Sequence, residues 1–192
     1  MVSATLTTGC DDFNKVVEST VQLDPTRYDG IWFEQVRTRN SPFEDGCFCA
    51  EANYTIADDG SITVDNTCRR GSATAPISGA IGKAIVADEK HPGFLLVSFW
   101  IPLLKAPYAV LDTDYTSYSI IASCPKYGFG RWHIWILTRD QQPGTEFIDG
   151  LRNKTVAMGF SSEDFYNTYQ GDDCNKATAD HFGPIVTWDD YF

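Results

Sequence analysis

Six cysteines and three histidines are the residues of this 192-residue chain best equipped for metal or redox chemistry. The cysteines stand at 10, 47, 49, 68, 124 and 174, and the histidines at 91, 133 and 181. A structural zinc site needs close ligand pairs repeated along the chain. Only Cys47 and Cys49 are close, no histidine is near them, and no metal site is expected. An even number of thiols scattered over the whole length points to disulfides ahead of free buried thiols, and so to an oxidising compartment. The acceptor patterns Asn53-Tyr54-Thr55 and Asn153-Lys154-Thr155 point the same way, with Asn53 and Asn153 as candidate glycosylation sites.

Carboxylates are the next chemical resource. Glu34, Asp112 and Asp114 invite an acid–base pair. No G-x-S-x-G, no Ser/His/Asp arrangement at supporting spacing, no phosphate-cradling glycine loop and no H-E-x-x-H accompanies them. Asp114 falls in a turn, where its role is to cap backbone donors, and Glu34 is expected to satisfy buried polar groups. No catalytic residue is therefore assigned, and no cofactor is required.

Charge narrows the partners. Fifteen Lys and Arg stand against 26 Asp and Glu, a net charge of -11 that repels phosphate backbones and anionic membranes. Nucleic acid is excluded as a partner. No apolar run reaches the roughly 18 residues of a membrane span, so stable membrane insertion is excluded too. Residues 1–20 are too polar for a signal-peptide core, so a secreted form would be a mature chain with an added Met1.

The elements that must position these groups are mostly strands. Short runs rich in Val, Ile, Thr and aromatics recur about every ten residues between turn residues. They predict strands near 31–38, 49–57, 61–68, 76–86, 94–100, 107–113, 118–124 and 132–139, with a tight hairpin turn at Asp58-Asp59-Gly60. In "PGTEFIDGLRNKTVAMGF" the spacing of Phe147, Leu151 and Met158 turns helical, predicting a helix over about 145–159 capped by Thr145. A short ninth strand is expected at 164–168, and the acidic aromatic tail from Asn175 has no usable period. The reading is one all-β domain over 1–192, with a barrel over about 28–140, the helix, and a C-terminal strand and tail over about 160–192.

Three motifs sharpen it. Gly30-Ile31-Trp32 opens the first strand, Thr113-Asp114-Tyr115 occupies the turn between the sixth and seventh, and Arg139 ends the eighth. In this order, each on its matching element and with the helix following, they resemble the signatures of the lipocalin family over about residues 25–174. The resemblance implies an eight-stranded antiparallel up-and-down barrel with one C-terminal α-helix packed outside. Gly30 permits the tight entry at the sealed end, Trp32 plugs the floor and Arg139 lies across the indole. "APYAVLDTDYTSYSIIASC", "CAEANYTIADDGSITVDN" and "WILTRD" are most similar to the apolipoprotein D branch, which includes bilin- and carotenoid-binding members. That branch implies the bridges Cys10–Cys124 and Cys49–Cys174. Cys47 and Cys68 are left for a third near the open rim, with Cys47 and Cys49 interchangeable by position.

Strand parity then names an interior. An outward Asn53 turns Ala52, Tyr54 and Ile56 inward, Ile62, Val64 and Asn66 share a face, and the resemblance puts Leu95, Val97 and Phe99 inside. His133, Trp135 and Leu137 are in phase with Arg139. The expected ligand site is Tyr54, Val64, Asn66, Val97, Phe99, His133, Trp135 and Leu137. Tyr54, Phe99 and Trp135 would supply stacking surface, and Asn66 and His133 hydrogen bonds. Phe43 and Phe48 are candidate lid or rim residues. The family implies a secreted carrier of a small hydrophobic ligand such as a carotenoid, bilin, retinoid, sterol or fatty acid. One alternative is a lipocalin-type isomerase or de-epoxidase using His133 or Tyr54. The other is a secreted interaction or defence protein working through its acidic surface, with a homo-oligomer or surface partner.

Overall fold

The computed structural model describes residues 10–39, 41, 44–99, 101, 103–125, 131–175 and 182–186. Strands β1 (Gly30–Thr38), β2 (Cys47–Ile56), β3 (Ile62–Arg70), β4 (Ile77–Val86), β5 (Phe94–Ser98), β6 (Ala106–Thr113), β7 (Tyr118–Ser123) and β8 (His133–Thr138) follow one another antiparallel. β4 pairs with β5, and β8 returns to β1, so the eight strands close into an up-and-down barrel. Helix α3 (Thr145–Ala157) packs outside it. The expected strands and helix agree with these bounds to within a few residues at each end.

Two apolar layers explain which strands alternate and which do not. Inside, Trp32, Tyr54, Val64, Leu95, Val97 and Leu137 share one cluster. Outside, Val36, Ile120, Ile134 and Ile136 meet Leu151 of α3 together with Phe160 and Phe165. β7 and β8 are covered on both faces and read as nearly continuous apolar runs, "SIIA" and "IWIL". β2 and β3 carry Thr55, Thr63, Asp65 and Thr67 on the uncovered face, and there the alternation is clean.

Two short helices and a parallel tenth strand were not foreseen, whereas the ninth strand expected at 164–168 is present. Helix α1 (Phe13–Glu18) sets Val16 into the outer layer. Helix α2 (Pro25–Tyr28) has Pro25 at its first position and the Asp24 side chain accepting from the Thr26 N–H, a start signal legible in "DPTR". β9 (Phe165–Asn167) pairs with the upper half of β1, and β10 (Phe182–Val186) runs parallel to the upper part of β4. The expected cap of α3 is corrected: Gly144 holds the cap position, no side chain caps it, and Thr145 is the first helical residue.

The disulfides are Cys10–Cys124, Cys47–Cys68 and Cys49–Cys174, with Cα atoms 5.9, 5.5 and 5.5 Å apart. The first ties the N-terminal arm to the end of β7, and the third ties the segment after β9 to β2. Among the described residues no helix is long and apolar enough to cross a membrane.

Candidate functional site

The sealed end of the barrel is built around Trp32, which is fully buried. Its indole N–H donates to the Tyr28 carbonyl at 2.9 Å, and the Arg139 guanidinium carbon lies 3.8 Å from its ring centroid. Arg139 also donates to the carbonyls of Ile31 and Asp29, each at 2.8 Å, and of Tyr115 at 3.1 Å. One side chain thus fastens the entry to β1 and the β6–β7 turn to the end of β8. Gly30 sits at φ +94°, and a Cβ there would meet Arg139 Nη1 at 3.2 Å. The positive φ favours glycine, and a Cβ would press on the guanidinium.

The second motif is a backbone cap. Burial works against the Asp114 carboxylate, but N–H donors from Thr116, Ser117 and Tyr118 outweigh it and hold its pKa below the usual value. Tyr115 takes φ +69° and its hydroxyl receives the Asp24 N–H. Asp112 is ion-paired to Lys154 of α3, so neither aspartate is placed for acid–base chemistry.

Above the floor the wall is aromatic. Tyr54 OH and Tyr108 OH are 2.8 Å apart, Tyr28 OH is 2.8 Å from Ser119 Oγ, and the Tyr28 and Tyr54 rings lie 5.1 Å apart. Burial pushes all three phenols above their ordinary pKa, Tyr28 to about 12, so each stays neutral. Across its middle the inner face of β4 carries the small residues Ala80, Gly82 and Ala84, paired with Asn66, Val64 and Ile62, while Ser78 and Val86 at its ends pair with Cys68 and Leu95. Phe99 fills part of that space, its ring 2.6 Å from where a Cβ on Gly82 would stand.

Every residue of the expected ligand set lies on this inner face. Tyr54, Val64, Val97 and Leu137 are buried in the inner cluster, with Phe99 and Trp135 packed against it. His133 stacks on Trp135 with centroids 6.0 Å apart, and burial lowers its pKa, leaving a neutral imidazole. Asn66 is half-buried, and its Oδ1 has no hydrogen-bond partner. Tyr28 and Tyr108 were missed as lining residues. The parity of Tyr108 with inward Val110 was available in the sequence, but the inward turn of α2 was not.

A polar cluster near the mouth was missed as a unit. Past a bulge at Gln35, Glu34 and Arg37 face the same side and form a buried ion pair at 2.7 Å. Thr168, carried in beside β9, hydrogen-bonds both. Glu44, in the loop after β1, accepts from the Trp135 indole at 2.8 Å. Burial first, then the Glu34 charge, pushes the Glu44 carboxyl up to about 8. Glu34 does satisfy buried polar groups, as expected.

Other candidates fall elsewhere. Phe48 lies in β2 and packs on the Tyr169 ring, centroids 5.8 Å apart, and Phe43 lies outside the described residues. Asn53 is on the outer face of β2. Asn153 is exposed but within α3, and the Thr155 hydroxyl of the same acceptor pattern is buried and bonded to the Leu151 carbonyl. Among the described residues no group of three or more His, Cys, Asp and Glu is arranged to hold a metal.

Comparison with known proteins agrees with the geometry. The family model for a lipocalin-like domain matches residues 23–170. Apolipoprotein D of Macaca fascicularis is 34% identical over 133 residues, 68% of this chain and 68% of that protein. Lazarillo protein of Schistocerca americana is 28% identical over 172 residues, 88% of this chain and 78% of that one. Chloroplastic lipocalin of Arabidopsis thaliana is 29% identical over 179 residues, 82% of this chain and 49% of that one. Among solved structures, lobster apocrustacyanin A1 superposes with a TM-score of 0.68 at 21% identity, covering 89% of this chain and 92% of that chain. Such low identity speaks for the fold alone. The closed barrel, the floor clasp of Gly30, Trp32 and Arg139, and a family match spanning the whole barrel place this chain in the lipocalin family.

Proposed function

We propose that this chain is a secreted carrier that holds one small apolar ligand in the barrel lumen. The observation that carries the reading is the partial accessibility of side chains on the inner face. Phe99, Tyr108, Trp135 and Asn66 point inward yet remain partly accessible, opposite a β4 face of alanine and glycine. A barrel filled by its own side chains would bury them fully. The aromatic walls, neutral His133 and a few polar atoms suit an elongated molecule with one or two polar ends, the class that includes carotenoids, bilins, retinoids, sterols and fatty acids. Three disulfides support an extracellular setting, where such bonds persist.

Titration with representatives of each ligand class, read by quenching of tryptophan emission, tests the proposal. Saturable binding of about one ligand per chain with a micromolar or lower Kd is expected. Absence of saturable binding across the panel refutes it. Recovery of the ligand with unchanged mass distinguishes a carrier from an isomerase or de-epoxidase.

A further inference from the structure

The polar lining of the upper lumen is unbalanced in charge. Its one buried cation among the described residues, Arg37, is already ion-paired: Nη1 donates to Glu34 Oε1 and to Thr168 Oγ1, and Nη2 to the Glu44 carbonyl at 2.8 Å. Arg69, also buried, belongs to the outer face beside Glu51 and donates to the Ala75 carbonyl. His133 is held neutral by burial. On the acceptor side, Asn66 Oδ1 and Glu44 Oε2 are buried atoms with no partner in good hydrogen-bond geometry, although the Ser41 hydroxyl lies near enough to act on the Glu44 carboxyl. Buried polar atoms are nearly always bonded, so orphans beside a ligand lumen are atoms a ligand can satisfy. Glu44 accepts from the indole N–H of Trp135 at 2.8 Å, and Trp135 packs on the inner cluster, which places this carboxyl beside the lumen.

We infer that this lumen selects ligands whose polar end is uncharged, a hydroxyl above all, and rejects the matching carboxylates. The inference deepens the carrier reading and rests on it. Both protonation states of Glu44 lead to the same result. With Glu44 ionised, a ligand carboxylate brings a like charge beside Glu44 and Glu34. With Glu44 neutral, the Glu34–Arg37 pair is already balanced, and a carboxylate enters as an uncompensated buried charge. A hydroxyl escapes both costs, because it donates to Glu44 Oε2 or Asn66 Oδ1 and also accepts from a protonated Glu44. The ligand range therefore contracts toward apolar alcohols and away from free fatty acids and other acids.

Matched pairs test it: retinol against retinoate, and hexadecanol against palmitate, titrated at pH 7.5 into the intact disulfide-bonded protein. The alcohol is expected to bind at least about tenfold more tightly in each pair, the scale set by burying an unpaired charge. The double variant Glu34→Gln, Glu44→Gln leaves Arg37 as the lone charge, and the retinol-to-retinoate preference should fall at least about tenfold with retinol still bound. Equal or tighter binding of either acid by the wild type overturns the inference while leaving the carrier reading intact, as does an unchanged preference in a retinol-competent double variant. If the double variant does not fold, the two wild-type pairs decide alone. Failure of all four compounds to bind overturns this selectivity, whereas only failure across the whole ligand panel removes the carrier reading.

Discussion

Replacing Arg139 with alanine should loosen the sealed end without changing what the barrel holds. In the folded protein the guanidinium makes three good hydrogen bonds to carbonyls, of Ile31 and Asp29 at 2.8 Å and Tyr115 at 3.1 Å, and covers the Trp32 ring at 3.8 Å. Arg139 is only half-buried, so each bond is discounted for solvent screening to about 1 kcal/mol, below the roughly 1.5–3 kcal/mol of a buried charged bond, and the ring contact is worth about 1 kcal/mol. Ordering a long side chain offsets up to about 2 kcal/mol of that sum. A net loss of about 2–3 kcal/mol follows. Arg139→Lys should lose most of it as well, because an ammonium cannot serve carbonyls on three segments and lie flat on an indole. Equilibrium urea unfolding measures the loss, with the m value unchanged. Ligand affinity of the folded fraction should stay within about twofold, a shift of only about 0.4 kcal/mol, since Arg139 stands beneath the plug. An Arg139→Ala protein within about 0.5 kcal/mol of wild type would refute the clasp.

Gly30→Ala should destabilise by about 1–3 kcal/mol, through a positive φ that alanine resists and displacement of the Arg139 head, measurable in the same unfolding assay. The folded state favours a protonated Glu44, so that contribution is fully present below the ordinary carboxyl pKa near 4.5 and is lost as pH rises through about 8. The stability difference between Glu44→Gln and wild type should grow over that window, by a few kcal/mol at most, and a flat difference would contradict the burial of this carboxyl. His133 acts oppositely: its lowered pKa gives stability present above about 6.5 and lost as pH falls, so His133→Phe should unfold less readily in acid than wild type. Removing Cys10–Cys124 or Cys49–Cys174, which span 114 and 125 residues, should cost about 4–5 kcal/mol each, against about 3 kcal/mol for the 21-residue Cys47–Cys68 loop. An inverted order in thermal unfolding would contradict the loop-entropy account.

The barrel was legible because its signals are local and periodic. Parity placed Tyr54, Val64 and Leu137 on the inner face, the family resemblance added Val97, and the motif residues Gly30, Trp32 and Arg139 meet at the floor. The mouth was not legible, since a bulge at Gln35 breaks the parity that would place Arg37, and Glu44 reaches Trp135 from an irregular loop 91 residues away. Thr168 meets Glu34 across 134 residues. No period carries such contacts, and "TEFIDG" likewise offered Thr145 as a cap where the backbone gave that position to Gly144.

The central claim, that the ligand occupies the lumen, is tested most directly by blocking it. Ala80 faces inward opposite Asn66 on the small-residue face of β4, so Ala80→Trp places an indole in the proposed binding space. Retinol titrations followed by tryptophan quenching, with melting curves to confirm folding, should show one saturable site in the wild type. A folded Ala80→Trp should bind at least about tenfold more weakly, as expected when buried contact area is lost to a steric block. Undiminished binding by the blocked barrel would place the ligand elsewhere and contradict the account.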